Sequence, residues 1–323
     1  MSTITLPNTL LRSELKLPGV IDVYRGKVRD VYHLKGDMIV MVASDRLSAF
    51  DVVMPRGIPH KGQTLTEISW EMLRTSSVPQ WAMHSPDPCV IVGVRTTPIK
   101  VEMVVRDRLT GSWWRKYQQG IREIGGYKLR DGMKEFDRFE DDGPIITPST
   151  KADEGHDEDI SPDEIIAQGL CTGDQWDKMC LYSLELFREG TRIALQRKLV
   201  LVDTKYEFGL DPTGNVILID EINTPDSSRY FHHEGFDVAI ADGKTPKHLS
   251  KEFVRQWLIS QGFQGKEGQK MPELTDGWVM LVSERYAELF GCIMGKPFEP
   301  ASTEDINARI QSNLNRYFNS MRG

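Results

Sequence analysis

Residues 201–230 read LVDTKYEFGLDPTGNVILIDEINTPDSSRY. Two apolar frames flank the turn residues DPTGN, so the stretch predicts a β-hairpin. Side chains alternate across a strand, which puts Val202, Thr204, Tyr206 and Phe208 on the core face and Leu201, Asp203, Lys205 and Glu207 on the other. A solvated strand face with cross-strand salt bridges would account for such a strip. Against that bland reading stand Asp220-Glu221, which end a very apolar strand, and PDSSR just beyond. Carboxylates gathered at the end of a buried strand suit a hard cation, because Mg²⁺ takes oxygen ligands and is usually completed by phosphates. Glu207 and Asp220 are the metal candidates, and Lys205 between the acids would meet a phosphate. The register matters. If Leu210 simply paired with Val216, Asp220 would oppose Tyr206 and point to the core. A one-residue offset or a bulge near the turn is therefore expected, bringing Asp220 beside Glu207.

The rest of the chain bounds the answer. Its 323 residues suffice for one large domain or two lobes. No run of about 18 apolar residues is present, so no membrane span is expected. The N-terminus lacks the layout of a secretory signal. Four scattered cysteines without a CxxC pair suggest reduced thiols in a cytoplasmic protein and no zinc site. A net charge of −7 argues against a nucleic-acid partner, although a local cluster of Arg and Lys can still meet an anionic substrate.

Residues 20–54 read as a β-meander, with a turn at Lys35-Gly36-Asp37. A helix follows from His60, residues 79–88 read as loop, and CVIVGV and KVEMVVRDRL read as strands. Residues 132–169 are polar, acidic and punctuated by Pro and Gly, which suggests disorder or a functional lid. Residues 172–198 form a strong amphipathic helix, and the C-terminal part adds further helices. The order of elements predicts an α+β fold with two lobes: a β-rich N-terminal lobe over residues 1–100, and an α/β C-terminal lobe over 101–323 that carries the 132–169 loop and the C-terminal helices.

LVDTKYEFG resembles a signature of the SAICAR synthetase family, and so does VEMVVRDRLTGS, Val101 to Ser112. The family form of the second has a Pro two residues before the Glu, where this chain has Lys100. YRGKVRDVY, ASDRLSAFDVVMP, TPSTKADEGHD and DEINTPDSSR match as well, in the family's order. The resemblance implies a two-lobed fold around an ATP cleft. It also implies an ATP- and Mg²⁺-dependent ligase that joins the carboxylate of the nucleotide CAIR to the amine of L-aspartate, giving SAICAR, ADP and phosphate in purine biosynthesis.

The resemblance also assigns residues. Gly26, Lys27 and Arg29 of YRGKVRD fall to the ATP phosphates; taken alone, RGK reads as well as an exposed basic turn. Glu102 falls near the adenosine, and Lys205 also serves ATP. Arg106, Ser112 and Arg229 fall to the substrate ribose phosphate, consistent with the fit of a guanidinium fork to phosphate oxygens. Lys151, Asp157, Asp45 and Ser48 fall to substrate, with Asp45 equally readable as a turn cap and His156 as an ordinary loop histidine. Lys205 and Asp203 are expected to carry catalysis. Two other classes stay open: a kinase-like phosphotransferase, and a silent nucleotide-binding scaffold.

Overall fold

The computed structural model describes residues 6–139, 143–151, 158–249 and 251–321. From the N-terminus come β1 (Val20–Arg25), β2 (Arg29–Leu34), β3 (Met38–Ala43), the short pair β4 (Ser48–Ala49) and β5 (Val52–Val53), helix α1 (Lys61–Leu73), β6 (Ala82–Asp87) and β7 (Val90–Val94). Then follow β8 (Thr97–Arg106), α2 (Gly111–Gln118), β9 (Glu123–Ile124), β10 (Tyr127–Lys128), β11 (Ile145–Thr150), α3 (Pro162–Ala167) and α4 (Gly173–Gln196). The hairpin strands β12 (Leu199–Leu210) and β13 (Val216–Ile219) precede β14 (Ser228–His232), α5 (Phe236–Ala241) and β15 (His248–Leu249). Helices α6 (Glu252–Ser260), α7 (Asp276–Met294) and α8 (Ile306–Ser320) complete the chain. Among the described residues, no helix is long and apolar enough to cross a membrane.

The chain divides into two units. The first comprises the residues up to Thr75, Ala82–Arg95, and those from Lys251 onward. It is built on an antiparallel sheet in the order β1-β2-β3-β7-β6. The apolar faces of the C-terminal helices belong here. Ile306, Ile310 and Leu314 of α8 pack with Tyr32, Val40, Val42 and Val90 of the sheet. Val254, Leu258, Val279 and Val282 of α6 and α7 pack with Leu47, Ile58 and Leu65. The expected boundary near residue 100, with the C-terminal helices in the second lobe, is therefore corrected: those helices bury their apolar faces in the first unit. Residues 79–88, read as loop, hold the edge strand β6, where Pro86 costs no ladder bond and the register shifts twice.

The second unit holds Ser76–Trp81 and the residues from Thr96 to Leu249. Its sheet runs β11-β8-β12-β14-β15, with β13 also paired to β12. The 132–169 segment is not wholly irregular, since it supplies β11 and α3. Helix α4 starts at a capping box in which the Thr172 hydroxyl accepts from the Gln175 amide and Gln175 reciprocates. The alternation read in the hairpin is present: Val202, Tyr206 and Phe208 are fully buried on the core face, each worth about 1.5–3 kcal/mol of apolar burial.

The register of the hairpin differs from expectation. Leu210 pairs with Val216 and Glu207 with Ile219, without an offset. β13 ends at Ile219, however, and Asp220 adopts φ +61°, leaving the ladder. The Trp81 indole N–H holds the Asp220 carbonyl at 2.9 Å. Asn223, also left-handed at φ +52°, accepts from the Tyr206 hydroxyl at 2.8 Å. The exit from β13 is thus built by buried polar side chains, not by a slip of the ladder.

Candidate active site

Ladder pairing places the polar residues of three strands on one face of the second sheet. Glu207 sits opposite Glu102, Asp203 opposite both Arg106 and Arg229, and Arg106 opposite Ile145 at the start of β11. Lys205 lies between the acids, and Lys151 follows the last residue of β11. Glu102, Arg106, Asp203 and Glu207 are all buried. Four carboxylates, counting Asp220, meet four cations here. Burying ions costs several kcal/mol each before pairing, and well-packed apolar residues would often stabilise a sheet better. A structural role alone therefore accounts poorly for this face.

The charges form two groups. In the first, Lys205 Nζ donates to Glu102 and lies 3.5 Å from Glu207 Oε1, while Lys151 Nζ donates to the other Glu207 oxygen. Burial disfavours the charged form of Lys205, but Glu207, Glu102 and Asp220 outweigh it and raise its pKa. Lys151 is raised in the same way, against burial, by Glu207 and Asp220. Both lysines are therefore fixed cations, and neither is free to serve as a base. Asp220 acts on both, so its carboxylate reaches this group even though the expected register offset is absent.

In the second group the Asp203 carboxylate accepts from two guanidiniums. Arg106 Nη1 donates at 2.9 Å, and Arg229 Nη1 donates to the same oxygen. Arg106 is further held by Thr147, which accepts from its Nε at 2.9 Å, and by the Trp113 ring, 5.5 Å from its guanidinium carbon. The Trp113 indole N–H in turn donates to Asp159 at 3.1 Å. Arg229 lies across the start of α2, against Gly111. A Cβ at Gly111 would fall inside the guanidinium, and Gly111 has φ +64°. The α2 N-cap, Thr110, makes no side-chain cap bond, so the first amides of the helix are left for an external acceptor. Two arginines beside a helix N-terminus carrying Ser112 are chemically suited to an anion. Arg108, two residues after Arg106, lies beyond the strand: it donates to the Phe136 carbonyl at 3.1 Å and stacks over Phe236.

In the first unit, Gly26, Lys27 and Val28 form the β1–β2 turn, closed by Gly26 N–H donating to the Arg29 carbonyl at 2.8 Å. Lys27 Nζ pairs with Asp51 at 2.6 Å on the surface. Asp45 is buried and accepts from the Leu10 amide at 2.7 Å and the Gly62 amide at 2.9 Å. There it ties the Leu10 segment to the start of α1. Ser48 is half-buried in β4. Asp157 and His156 lie outside the described residues. Sequence reasoning missed Thr147, Trp113 and Asp159. The Trp113-Trp114 pair beside Gly111-Ser112 was the available signal for Trp113; the other two follow only from the pairing of distant segments.

No group of three or more His, Cys, Asp or Glu among the described residues is arranged to hold a metal ion. Glu207 and Asp220 offer two carboxylates, the number expected where phosphates and water complete an Mg²⁺ shell.

An α+β chain with a buried, charge-paired sheet face and an arginine-flanked helix N-terminus is suited to binding phosphorylated substrates. The sequence profile of the SAICAR synthetase family matches residues 22–272, and the chain belongs to that family. It is 53% identical over 308 residues to phosphoribosylaminoimidazole-succinocarboxamide synthase of Bacteroides fragilis, covering 94% of this chain and 97% of that protein. The synthase of Cytophaga hutchinsonii is 48% identical, covering 95% and 98%. The SAICAR synthase of Saccharomyces cerevisiae, solved with SAICAR, superposes with a TM-score of 0.73 at 29% identity, over 89% of this chain and 99% of that one. A type-2 SAICAR synthetase solved with ADP shares the fold, with a TM-score of 0.65 at 21% identity, over 86% and 100%.

Proposed function

We propose that this chain is an ATP-dependent carboxylate–amine ligase that joins the CAIR carboxylate to the amine of L-aspartate, releasing SAICAR, ADP and phosphate, in the cytoplasm. The observation that carries the reading is the division of labour on the charged sheet face. One group of residues suits a phosphate monoester, and a separate group of acids and lysines suits a polyphosphate with its cation.

Arg106, Arg229, Ser112 and the open α2 amides bind the CAIR ribose phosphate. Asp203, expected to be catalytic, acts here by holding both guanidiniums on one carboxylate oxygen and partly neutralising them, so that a dianion can enter beside them without their repelling one another. Glu102 is assigned to the adenosine end of ATP, Gly26, Lys27 and Arg29 to its phosphates, and Lys151 to substrate. Lys205, a fixed cation, stabilises charge on the transferring phosphoryl group. Glu207 and Asp220 would hold Mg²⁺, which when bound neutralises the triphosphate.

A carboxylate is a poor acyl donor, so its oxygen must become a leaving group. The CAIR carboxylate oxygen attacks the γ-phosphorus, the bond to the β-bridging oxygen breaks, and ADP leaves. The aspartate amine then attacks the acyl carbon, phosphate departs with the former carboxylate oxygen, and the amine loses a proton. Positioning and electrostatic stabilisation supply most of the rate.

The test is ADP release with each substrate omitted in turn. A ligase needs both CAIR and aspartate, a kinase-like enzyme needs no aspartate, and a scaffold releases none. With ¹⁸O in the CAIR carboxylate, label should appear in the released phosphate. Unlabelled phosphate during normal SAICAR formation would exclude the acyl phosphate.

A further inference from the structure

Arg46 follows Asp45 in the SDRLSAFD stretch, and none of the roles above involves it. Its guanidinium is largely buried, and four acceptors surround it. Nε donates to the Lys27 carbonyl at 3.0 Å, and Nη2 to the Gly26 carbonyl at 2.9 Å and to Asp30 Oδ1 at 2.9 Å. Nη1 donates to the Leu11 carbonyl of the N-terminal arm. The next carbonyl, that of Val28, accepts from the Ser44 amide at 3.0 Å and from the Ser44 hydroxyl at 2.7 Å. Three consecutive carbonyls of the β1–β2 turn are thus drawn to one side by the Ser44–Arg46 segment.

The peptide bonds among the described residues are trans. In a trans peptide the N–H points opposite to the preceding carbonyl. With the Gly26 and Lys27 carbonyls directed at Arg46, the Lys27 and Val28 amides face away from it, and neither has an acceptor among the described residues. Two neighbouring amides aimed outward form a concavity that binds anionic oxygens. Arg46 is itself anchored. Asp30 is fully buried and also accepts from the Ser13 amide and hydroxyl, both at 2.8 Å. Burial would raise the Asp30 pKa, but Ser13 and Arg46 outweigh it and hold the carboxylate below its ordinary range. It therefore remains a charged partner for Arg46 at neutral pH.

We propose that Arg46 is a positioning residue for nucleotide binding: by holding the Gly26 and Lys27 carbonyls it presets the Lys27 and Val28 amides as an anion cradle for the ATP phosphates. This rests on the assignment of the Gly26 turn to ATP in the proposed function. Only a planar fork can hold two successive carbonyls together with a carboxylate. Lysine would keep the charge beside Asp30 and lose the bridge.

The test compares wild type with Arg46→Lys and Arg46→Ala, and follows amide resonances of the wild type on addition of Mg-ADP. For Arg46→Lys, KM for ATP and the dissociation constant for ADP by calorimetry should both rise about tenfold. The melting temperature, kcat and the KM values for CAIR and aspartate should stay close to wild type, with Arg46→Ala more severe. A folded Arg46→Lys with unchanged ADP affinity would overturn the proposal, as would equal losses for all three substrates. Should neither variant fold, the wild-type resonances decide: the Lys27 and Val28 amides should shift on ADP binding. Nucleotide binding without those shifts overturns only the role of Arg46, whereas no nucleotide binding at all overturns the ligase reading itself.

Discussion

Replacing Gly111 with Ala should damage the recognition of CAIR while leaving that of ATP alone. Gly111 sits at φ +64°, and its missing Cβ is where the Arg229 guanidinium passes. Two costs follow. Alanine in a left-handed conformation costs about 1–2 kcal/mol of stability. The guanidinium cannot share the space, so Arg229 must leave its place beside Asp203 and the start of α2. Losing one charge-assisted contact to a phosphate forfeits about 1.5–3 kcal/mol of binding, or about ten- to a hundredfold in CAIR affinity. Arg106 keeps its bonds to Asp203 and Thr147, so the clamp loses one arm and not both. The assay is steady-state ligation with CAIR and ATP varied separately, alongside a urea melt. KM for CAIR should rise at least tenfold and KM for ATP change less than twofold, with the melt showing a folded protein destabilised by the backbone term. An unchanged KM for CAIR in folded Gly111→Ala, or parallel losses for both substrates, would refute the placement of the phosphate clamp at Arg229 and the α2 N-terminus.

Asp45 should leave a pH signature in stability. Burial pushes its carboxyl up to about 6, against the pull of the Leu10 and Gly62 amides. A raised carboxyl favours the folded state while protonated, so the contribution of Asp45 to stability is greatest below the ordinary carboxylate range. It falls as pH rises from about 4 through about 6, by about 3 kcal/mol in total. In urea melts at pH 4 to 7 the stability of wild type relative to Asp45→Asn should decline over that window; a constant difference would show that Asp45 does not titrate there. Asp220→Asn and Asp220→Gly, which both tolerate a left-handed backbone, should fold like wild type, require more magnesium for half-maximal rate and turn over slowly. Normal magnesium dependence in either would remove Asp220 from the metal site.

How much of this was legible in the sequence depends on which interaction sets each feature. The hairpin, α4 and the β1–β3 meander were readable because a two-residue or 3.6-residue period is local. β6 and β11 were not, and for one reason. Both are edge strands containing a proline, Pro86 and Pro148, and an edge strand tolerates a proline that a central strand would not. The C-terminal helices were readable as amphipathic segments, but an apolar stripe does not name its partner. That α6, α7 and α8 join the first unit is decided by residues such as Leu47 and Val90, some two hundred positions away. Glu102, Arg106, Asp203, Lys205 and Glu207 come together in the second sheet because ladder pairing joins VEMVVR to VDTKYE. Thr147, which holds Arg106, comes from β11, a segment whose approach to β8 no local pattern records.

Asp220 shows where strand logic itself stops. A register offset follows only on the assumption that a side chain's face is set by its place in the ladder. That assumption holds up to Ile219, and the unshifted pairing would have sent Asp220 toward Tyr206. One residue at φ +61° resets the alternation, so the carboxylate acts on Lys151 and Lys205 while the ladder stays regular. A left-handed backbone is costly for most side chains and cheaper for Asp, Asn and Gly. The identity of residue 220 is thus constrained twice, by backbone and by charge. The two constraints separate in substitution: a β-branched residue there should lose stability and activity together, whereas Asn or Gly should lose activity alone.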